Sequence, residues 1–300
     1  MSNMKKLFLT LILFPCILDA STKLIVLGSG TPNPDPERKG SAYAVVVNDQ
    51  AYLVDFGPGV VRSAATLSPE WGGNIKPLSV KNLEYAFLTH IHSDHSAGLA
   101  DLLLTPWIMG RDREIKLFGP SGLDKMANSI LIAYQEDINY RIYGTQPSNK
   151  KGYKYKFKSI DEGLVYKDEN VKVEAFKVPH GTFDDAYGFK FTTEDKVIVF
   201  SGDTGPSKIV EKMAYNADIL IHEVYSQAGF LKKTKAWQKY HQGHHTSTFE
   251  VGEIASRAKP KLLLLSHILF WGSTPDEILQ ETRQTFNGNI KVAEDLMIIE

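Results

Sequence analysis

His90-Ile91-His92-Ser93-Asp94-His95 decides how this chain is read. Three histidines and an aspartate stand within six residues, directly after a stretch, 83–89, that reads as a strand. Imidazole nitrogen and carboxylate oxygen are the donor atoms that zinc and its borderline neighbours take. A loop leaving a strand can turn alternate and adjacent side chains toward one point. A lone histidine is ordinarily a satisfied core or surface residue, but four such side chains packed this way have no comparable structural explanation. The segment reads as a metal site.

Working outward, the apolar patterning predicts an α/β chain. Strands are expected over 24–27, 42–47, 51–54 and 83–89, with a helix from Val60 and another over 98–104. The second half repeats the rhythm. Strands are expected over 171–178, 187–191, 197–200, 219–222 and 262–265. Helices are expected over 247–258 and 275–285, the last capped by Ser273 or Thr274. Short apolar strands alternating with helices imply central sheets covered by helices. Asp55, His90, His180, Asp203, Glu223 and His267 all fall at or just past predicted strand ends, where ligand chemistry gathers in α/β proteins. The stretch 105–158 is the least regular. Its aromatics, Trp107, Tyr134, Tyr140, Tyr143, Tyr153 and Tyr155, mark the expected lid or pocket wall.

Bulk properties bound the partners. With 34 basic and 35 acidic residues the formal charge is −1, without the basic excess usual in nucleic-acid binders. Lys150, Lys151, Lys154, Lys156 and Lys158 form the densest basic run and read as a solvated strand or loop. At the N-terminus Lys5 and Lys6 precede a short apolar run, and Asp19-Ala20-Ser21 follows it. That order is a signal-peptide pattern over 1–20, too short to span a bilayer as a mature helix. It leaves 21–300 as one domain, expected to be secreted or periplasmic and free of the membrane after cleavage. The single cysteine, Cys16, lies inside the signal segment, so the mature chain has no thiol for a disulfide, a metal or catalysis.

Thr89 to Leu99 resembles the His-x-His-x-Asp-His signature of the metallo-β-lactamase fold superfamily. Asp55 in Val-Asp-Phe-Gly-Pro-Gly is similar to that family's first motif, His180 in Val-Pro-His-Gly to its third, Asp203 in Ser-Gly-Asp-Thr to its fourth and His267 in Leu-Ser-His to its fifth. The resemblance implies a four-layer αβ/βα sandwich. It also implies two divalent ions, zinc with manganese as the alternative. His90, His92 and His180 would hold the first, Asp94, His95 and His267 the second, and Asp203 would bridge them. A hydroxide shared by such a pair would be the nucleophile, with Asp94 orienting or deprotonating the water. Asp55 would support the histidine loop without touching metal.

Within the superfamily the chain looks most like the tRNase Z and phosphodiesterase branch. Gly28-Ser-Gly30-Thr31-Pro32, Ile221-His222-Glu223 and His245-Thr-Ser-Thr carry that likeness. It implies that Glu223 and His245 protonate the leaving oxygen, with His244 an adjacent rival and His222 and His241 serving structure or the pocket rim. The branch's long tRNA-gripping arm has no room here, because one strand pair separates His180 from Asp203. With the signal pattern and the near-neutral charge, this leads to an expectation of no nucleic-acid partner. A small phosphodiester or related anionic ester is the expected substrate. Lactone, sulfate-ester or β-lactam hydrolysis is the alternative chemistry, and a non-catalytic metal-binding scaffold the alternative class. By analogy with the branch, the assembly is a homodimer. Intact-mass measurement on natively produced protein is expected to give a chain starting near Ser21. A full-length cytosolic chain would refute the export reading.

Overall fold

The computed structural model describes residues 21–300; the expected signal segment, with Cys16, lies outside them. Strands β1 (Thr22–Gly28), β2 (Ala42–Val47), β3 (Gln50–Val54), β4 (Tyr85–Phe87), β5 (Ile115–Gly119) and β6 (Tyr155–Ser159) form the first sheet in sequence order. The second holds β7 (Gly163–Lys167), β8 (Lys172–Lys177), β9 (Tyr187–Thr192), β10 (Val197–Phe200), β11 (Ile219–Tyr225), β12 (Leu262–Leu269) and β13 (Ile290–Val292). The last strand, β14 (Ile298–Ile299), returns to pair antiparallel with β1. In each sheet antiparallel strands give way to parallel ones, β3 to β6 in the first and β10 to β13 in the second. The ten α-helices among the described residues are α1 (Val60–Leu67), α2 (Ser93–Ser96), α3 (Leu99–Ile108), α4 (Gly122–Ala133), α5 (Gln135–Tyr143), α6 (Lys208–Met213), α7 (Gln227–Leu231), α8 (Lys235–His244), α9 (Thr248–Ala258) and α10 (Pro275–Thr282).

Side-chain alternation builds the layers. Successive residues of a strand point to opposite faces. Leu24, Val26, Tyr43, Val45, Tyr52 and Val54 therefore face inward and meet Phe189, Phe191, Ile198, Ile221 and Leu264 of the other sheet. Their neighbours Ile25, Leu27, Ala44, Leu53 and Ala86 face outward under Leu99, Leu102 and Leu103 of α3. Val199, Leu220, Leu263 and Leu265 do the same under α6, α9 and α10. Both faces of both sheets are covered, which is why the central strands read as near-continuous apolar runs. This is the four-layer αβ/βα sandwich. Among the described residues no helix is long and apolar enough to cross a membrane.

Three differences from the sequence reading have physical causes. The strand before the histidines spans only Tyr85–Phe87, because from Leu88 the chain turns into the site. Strands β11 and β12 run beyond 222 and 265, because their parallel ladder continues through Glu223 opposite Ser266. The stretch 105–158 is regular, with β5, α4, α5 and β6; Trp107 is buried and Tyr153 packs on the same core.

The loop after β3 locks the histidine loop by backbone alone. Phe56 N–H donates to the His95 carbonyl (2.8 Å), and Gly98 N–H donates to the Phe56 carbonyl (2.9 Å). The approach is so close that a Cβ on Gly57 would sit 2.2 Å from the Asp94 carbonyl oxygen and 2.4 Å from Gly40 C. Gly57→Ala is therefore expected to cost about 1–3 kcal/mol, as overpacking does, and to weaken divalent-metal binding by displacing Asp94. Denaturant unfolding and metal titration check it; unchanged values in both would show that this contact does not set the loop.

Candidate metal centre

Residues distant in sequence meet at the ends of strands from both sheets. Asp55 follows β3, the His90–His95 loop follows β4, His180 follows β8 and Asp203 follows β10. His267 lies inside β12, yet its side chain reaches the same point. The ladder pairs Glu223 with Ser266 and then Val224 with Ile268, so His267 is the extra residue of a β-bulge, with φ at 47°. Bulges re-aim side chains in this way. Asp55 also takes a left-handed backbone, φ 58°. Such conformations at non-glycine residues cost about 1–3 kcal/mol each and persist where surrounding structure over-determines them.

Asp55 organises two of the histidines. Thr89 donates its N–H (2.8 Å) and hydroxyl (2.9 Å) to Asp55 Oδ1, so the Thr89 oxygen is left to accept from His90 Nδ1 at 3.0 Å. His95 Nδ1 donates to Asp55 Oδ2 at 2.7 Å. His180 Nδ1 donates to the His244 carbonyl at 2.8 Å. With their Nδ1 hydrogens spent, His90 and His180 turn Nε2 lone pairs toward the site, and His95 turns its Nε2 there as well. His90 Nε2 and His180 Nε2 lie 3.0 and 3.2 Å from His92 Nδ1, which can donate to only one of them. His95 Nε2 and Asp203 Oδ1 are buried without a hydrogen-bond partner. Converging lone pairs and orphaned buried atoms are a donor set for cations.

These donors fall into two groups. His90, His92, His180 and Asp203 offer atoms within 4.8 Å of one another, and so do Asp94, His95 and His267. Asp94 Oδ2 lies 2.9 Å from His267 Nε2 and 3.5 Å from His95 Nε2. Asp203 stands between the groups: Oδ2 is 3.9 Å from His90 Nε2 and 3.5 Å from His267 Nε2, while Oδ1 is 3.4 Å from His95 Nε2. Burial holds His180 down to about 4 and His90 well below the ordinary imidazole value, so both present neutral nitrogens at physiological pH. Against burial, the charges of His267 and His95 hold Asp203 well below the usual carboxylate range. In the reciprocal sense, and again against burial, Asp203 and Asp94 push His95 and His267 up. The carboxylates demand positive charge at this spot.

A second pair adjoins. Glu223 Oε1 accepts from Thr246 N–H (2.9 Å) and Thr204 N–H (3.3 Å), which leaves Oε2 facing His245 Nδ1 at 3.3 Å. Burial and the Asp203 charge push Glu223 well above the usual carboxylate range. Burial lowers His245 to about 4. With Nδ1 turned to Glu223, Nε2 is the His245 nitrogen open to the pocket. His245 also lies within ligand distance of Asp203 and His267. Its rival His244 acts through its backbone carbonyl on His180, while its ring stacks on Tyr240 at 4.0 Å. His222 is buried with Nδ1 donating to the Glu223 carbonyl (2.7 Å), and His241 lines the pocket.

The pocket over the centre has a volume of about 440 Å³. Its wall comes from the α7–α8 region and the loop after β12, with Lys233, Trp237, Tyr240, His241 and Trp271, not from 105–158 as the sequence reading expected. The missed signal was a helical stripe. Trp237, Tyr240, His241, His244 and His245 recur at i, i+3, i+4, i+7 and i+8.

Comparison with known proteins agrees with this geometry. The sequence model of the metallo-beta-lactamase superfamily matches residues 35–267. Ribonuclease Z of Mycobacterium bovis (strain BCG / Pasteur 1173P2) is 29% identical over 287 residues, covering 93% of this chain and 98% of that protein. The human tRNase Z short form superposes with a TM-score of 0.68 at 22% identity, covering 93% of this chain and 98% of that one. A diphosphatase of the PhnP family superposes at 0.60 with 17% identity, covering 93% and 98%. One expectation is overturned by these matches. Nucleic acid was not expected as a partner, yet relatives aligned along nearly the whole chain are named as ribonucleases. The expectation failed because net charge is a sum over the whole surface, whereas phosphate binding depends on local charge at the site.

Asp55→Asn keeps the shape but removes charge behind His95 and disturbs the Thr89 and His90 hydrogen bonds. Loss of such a supporting carboxylate typically lowers metal affinity about 10–100-fold, which competition against a chromogenic chelator would read. Wild-type affinity in this variant would mean that Asp55 does not set the imidazole orientation.

Proposed function

Because the chain belongs to the metallo-β-lactamase superfamily, we propose that this hydrolase is a dinuclear phosphodiesterase, with zinc as its native metal and phosphodiesters, RNA among them, as its substrate class. The observation that carries the reading is Asp203, whose Oδ2 lies between His90 of one donor group and His267 of the other while Oδ1 faces His95. His90, His92 and His180 would hold one ion, Asp94, His95 and His267 the other, and Asp203 both. When bound, such ions supply Lewis acidity and a water that ionises near neutral pH.

The chain's own residues do the rest. Asp94, already 2.9 Å from His267 Nε2, is placed to orient the attacking water. The Glu223–His245 pair holds a proton away from bulk solvent and presents it at His245 Nε2, beside the donors of the second ion. That is the position from which a departing alkoxide would be protonated. The ribonuclease Z relatives support the substrate class. The signal-like pattern at 1–20 supports action outside the cytoplasm.

Asp203→Ala is expected to abolish turnover and to lower bound metal from two ions per chain, as read by elemental analysis. Normal metal content and turnover would remove Asp203 from the bridging role. Glu223→Gln, His245→Ala and the double variant are expected to keep both ions and to lose similar factors in kcat, about 10²–10⁴-fold, because residues acting as a unit are not additive. The loss is expected on alkyl phosphodiesters and to be nearly absent on nitrophenyl ones, whose leaving group departs without a proton. Equal losses on both would show that the pair positions substrate instead. Lost metal in His245→Ala would make His245 a ligand. Hydrolysis of lactone, sulfate-ester or β-lactam substrates in preference to every phosphodiester would refute the substrate class.

A further inference from the structure

The helix that delivers His245 also builds the wall facing the centre, and that wall is aromatic. Trp237 and Tyr240 lie on the same stripe of α8 as His241 and His244, and His245 follows directly at its end. They are large and yet stand open, Trp237 at 55% exposure and Tyr240 at 40%. Tyr240 stacks on His244 and Trp237 on His241, and the ring surface each leaves exposed beside a polar, buried reaction centre points to a ligand that covers it.

Trp271 closes the same wall from the other side. Its ring lies 4.4 Å from that of His241, and its backbone is held at φ 47°. A bulky residue rarely adopts that conformation. The surroundings hold it there: Ser273 N–H donates to the Phe270 carbonyl at 2.9 Å, and a Cβ on Gly229 would lie only 2.8 Å from that of Trp271. An indole on a strained backbone, packed against Tyr225, Phe230 and Leu269 at the rim of a pocket, is a built surface, not a loose one. The Lys233 ammonium sits over the Trp271 ring, 4.6 Å from its centroid, and also lines the pocket. Planar π faces and a fixed cation thus stand together on the His245 side of the centre, where the leaving group must be protonated.

We propose that Trp237, Tyr240 and Trp271, with Lys233 beside them, form a specificity subsite that grips a planar ring carried by the leaving group of a phosphate ester. The inference rests on the phosphodiesterase reading and adds to it which part of the substrate is recognised and by which residues. The shared chemistry is a flat ring attached to an anionic phosphate, and a nucleobase or a simple aryl group supplies it. The rings contribute stacking, which every planar heterocycle can use, while Lys233 contributes charge that any phosphate can use. The two contributions are separable.

Calorimetry on the zinc-loaded full chain tests this with two probe pairs, AMP against ribose 5-phosphate and phenyl phosphate against methyl phosphate. The ring-bearing member is expected to bind on the order of 10- to 100-fold tighter, the range that stacking on an aromatic side chain gives. A preference in both pairs assigns a general ring subsite, and a preference for AMP alone assigns a nucleobase subsite. Trp237→Leu with Tyr240→Leu is expected to bring the ratio close to one. Lys233→Gln is expected to weaken all four probes while leaving the ratio in place. Both aromatic positions are solvent-exposed, and matching melting temperatures would verify that the variants fold. Equal affinity within both pairs, or a ratio that survives the double variant, overturns the subsite. Assaying phosphodiester cleavage on the same preparations separates the two levels. Cleavage without a ring preference rejects the subsite alone, whereas neither cleavage nor probe binding rejects the phosphodiesterase reading and the subsite with it.

Discussion

Nitrogen lone pairs aimed at one another inside a protein are unfavourable until a cation stands between them. The arrangement here forces that situation. The Nδ1 hydrogens of His90 and His180 are committed to Thr89 and the His244 carbonyl, so their Nε2 atoms have nothing to offer the centre but lone pairs. Asp94 and Asp203 add buried negative charge to the same point. A buried polar group without a partner costs about 1–3 kcal/mol, and several converge at this one place. The rest of the molecule can be understood as the apparatus that holds this unfavourable cluster together until metal resolves it.

The apparatus is distributed over both sheets. The first contributes Asp55 and the histidine loop, locked to each other by backbone hydrogen bonds and by a contact too close for any side chain at Gly57. The second contributes Asp203 from the end of β10 and His267 from a bulge in β12. Under the proposed function helix α8 ties metal binding to substrate handling. Its last carbonyl orients His180, the residue after it is His245, and its exposed stripe is the aromatic wall. Under the proposed function a distortion of α8 would therefore disturb ligand geometry, proton delivery and substrate contact together.

Much of this was legible in the sequence, for a physical reason. Metal ligands on a tight loop must be close in sequence, so His90, His92, Asp94 and His95 announce themselves. Strands buried on both faces are apolar throughout, so the two-sheet rhythm was visible as well. What lay hidden depends on three-dimensional closure. Backbone carbonyls such as that of His244 carry no side-chain signature. The bulge that turns His267 inward is a property of register, not of composition. The aromatics of 105–158 do not form the wall, and Trp107 and Tyr153 are core; an aromatic side chain looks the same in sequence whether it packs inward or faces a ligand. The stripe from Trp237 to His245 has helical spacing that could have been noticed. Net charge misled about nucleic acid because it averages away the local field.

The central claim is that Asp203 joins two cations into one centre. Loading the metal-free protein with two equivalents of manganese and recording its electron paramagnetic resonance spectrum tests that most directly. A shared carboxylate predicts an exchange-coupled spectrum that replaces the signal of isolated ions once the second equivalent is bound, and that is lost in Asp203→Ala. Two equivalents bound with only the hyperfine pattern of isolated manganese would contradict the account.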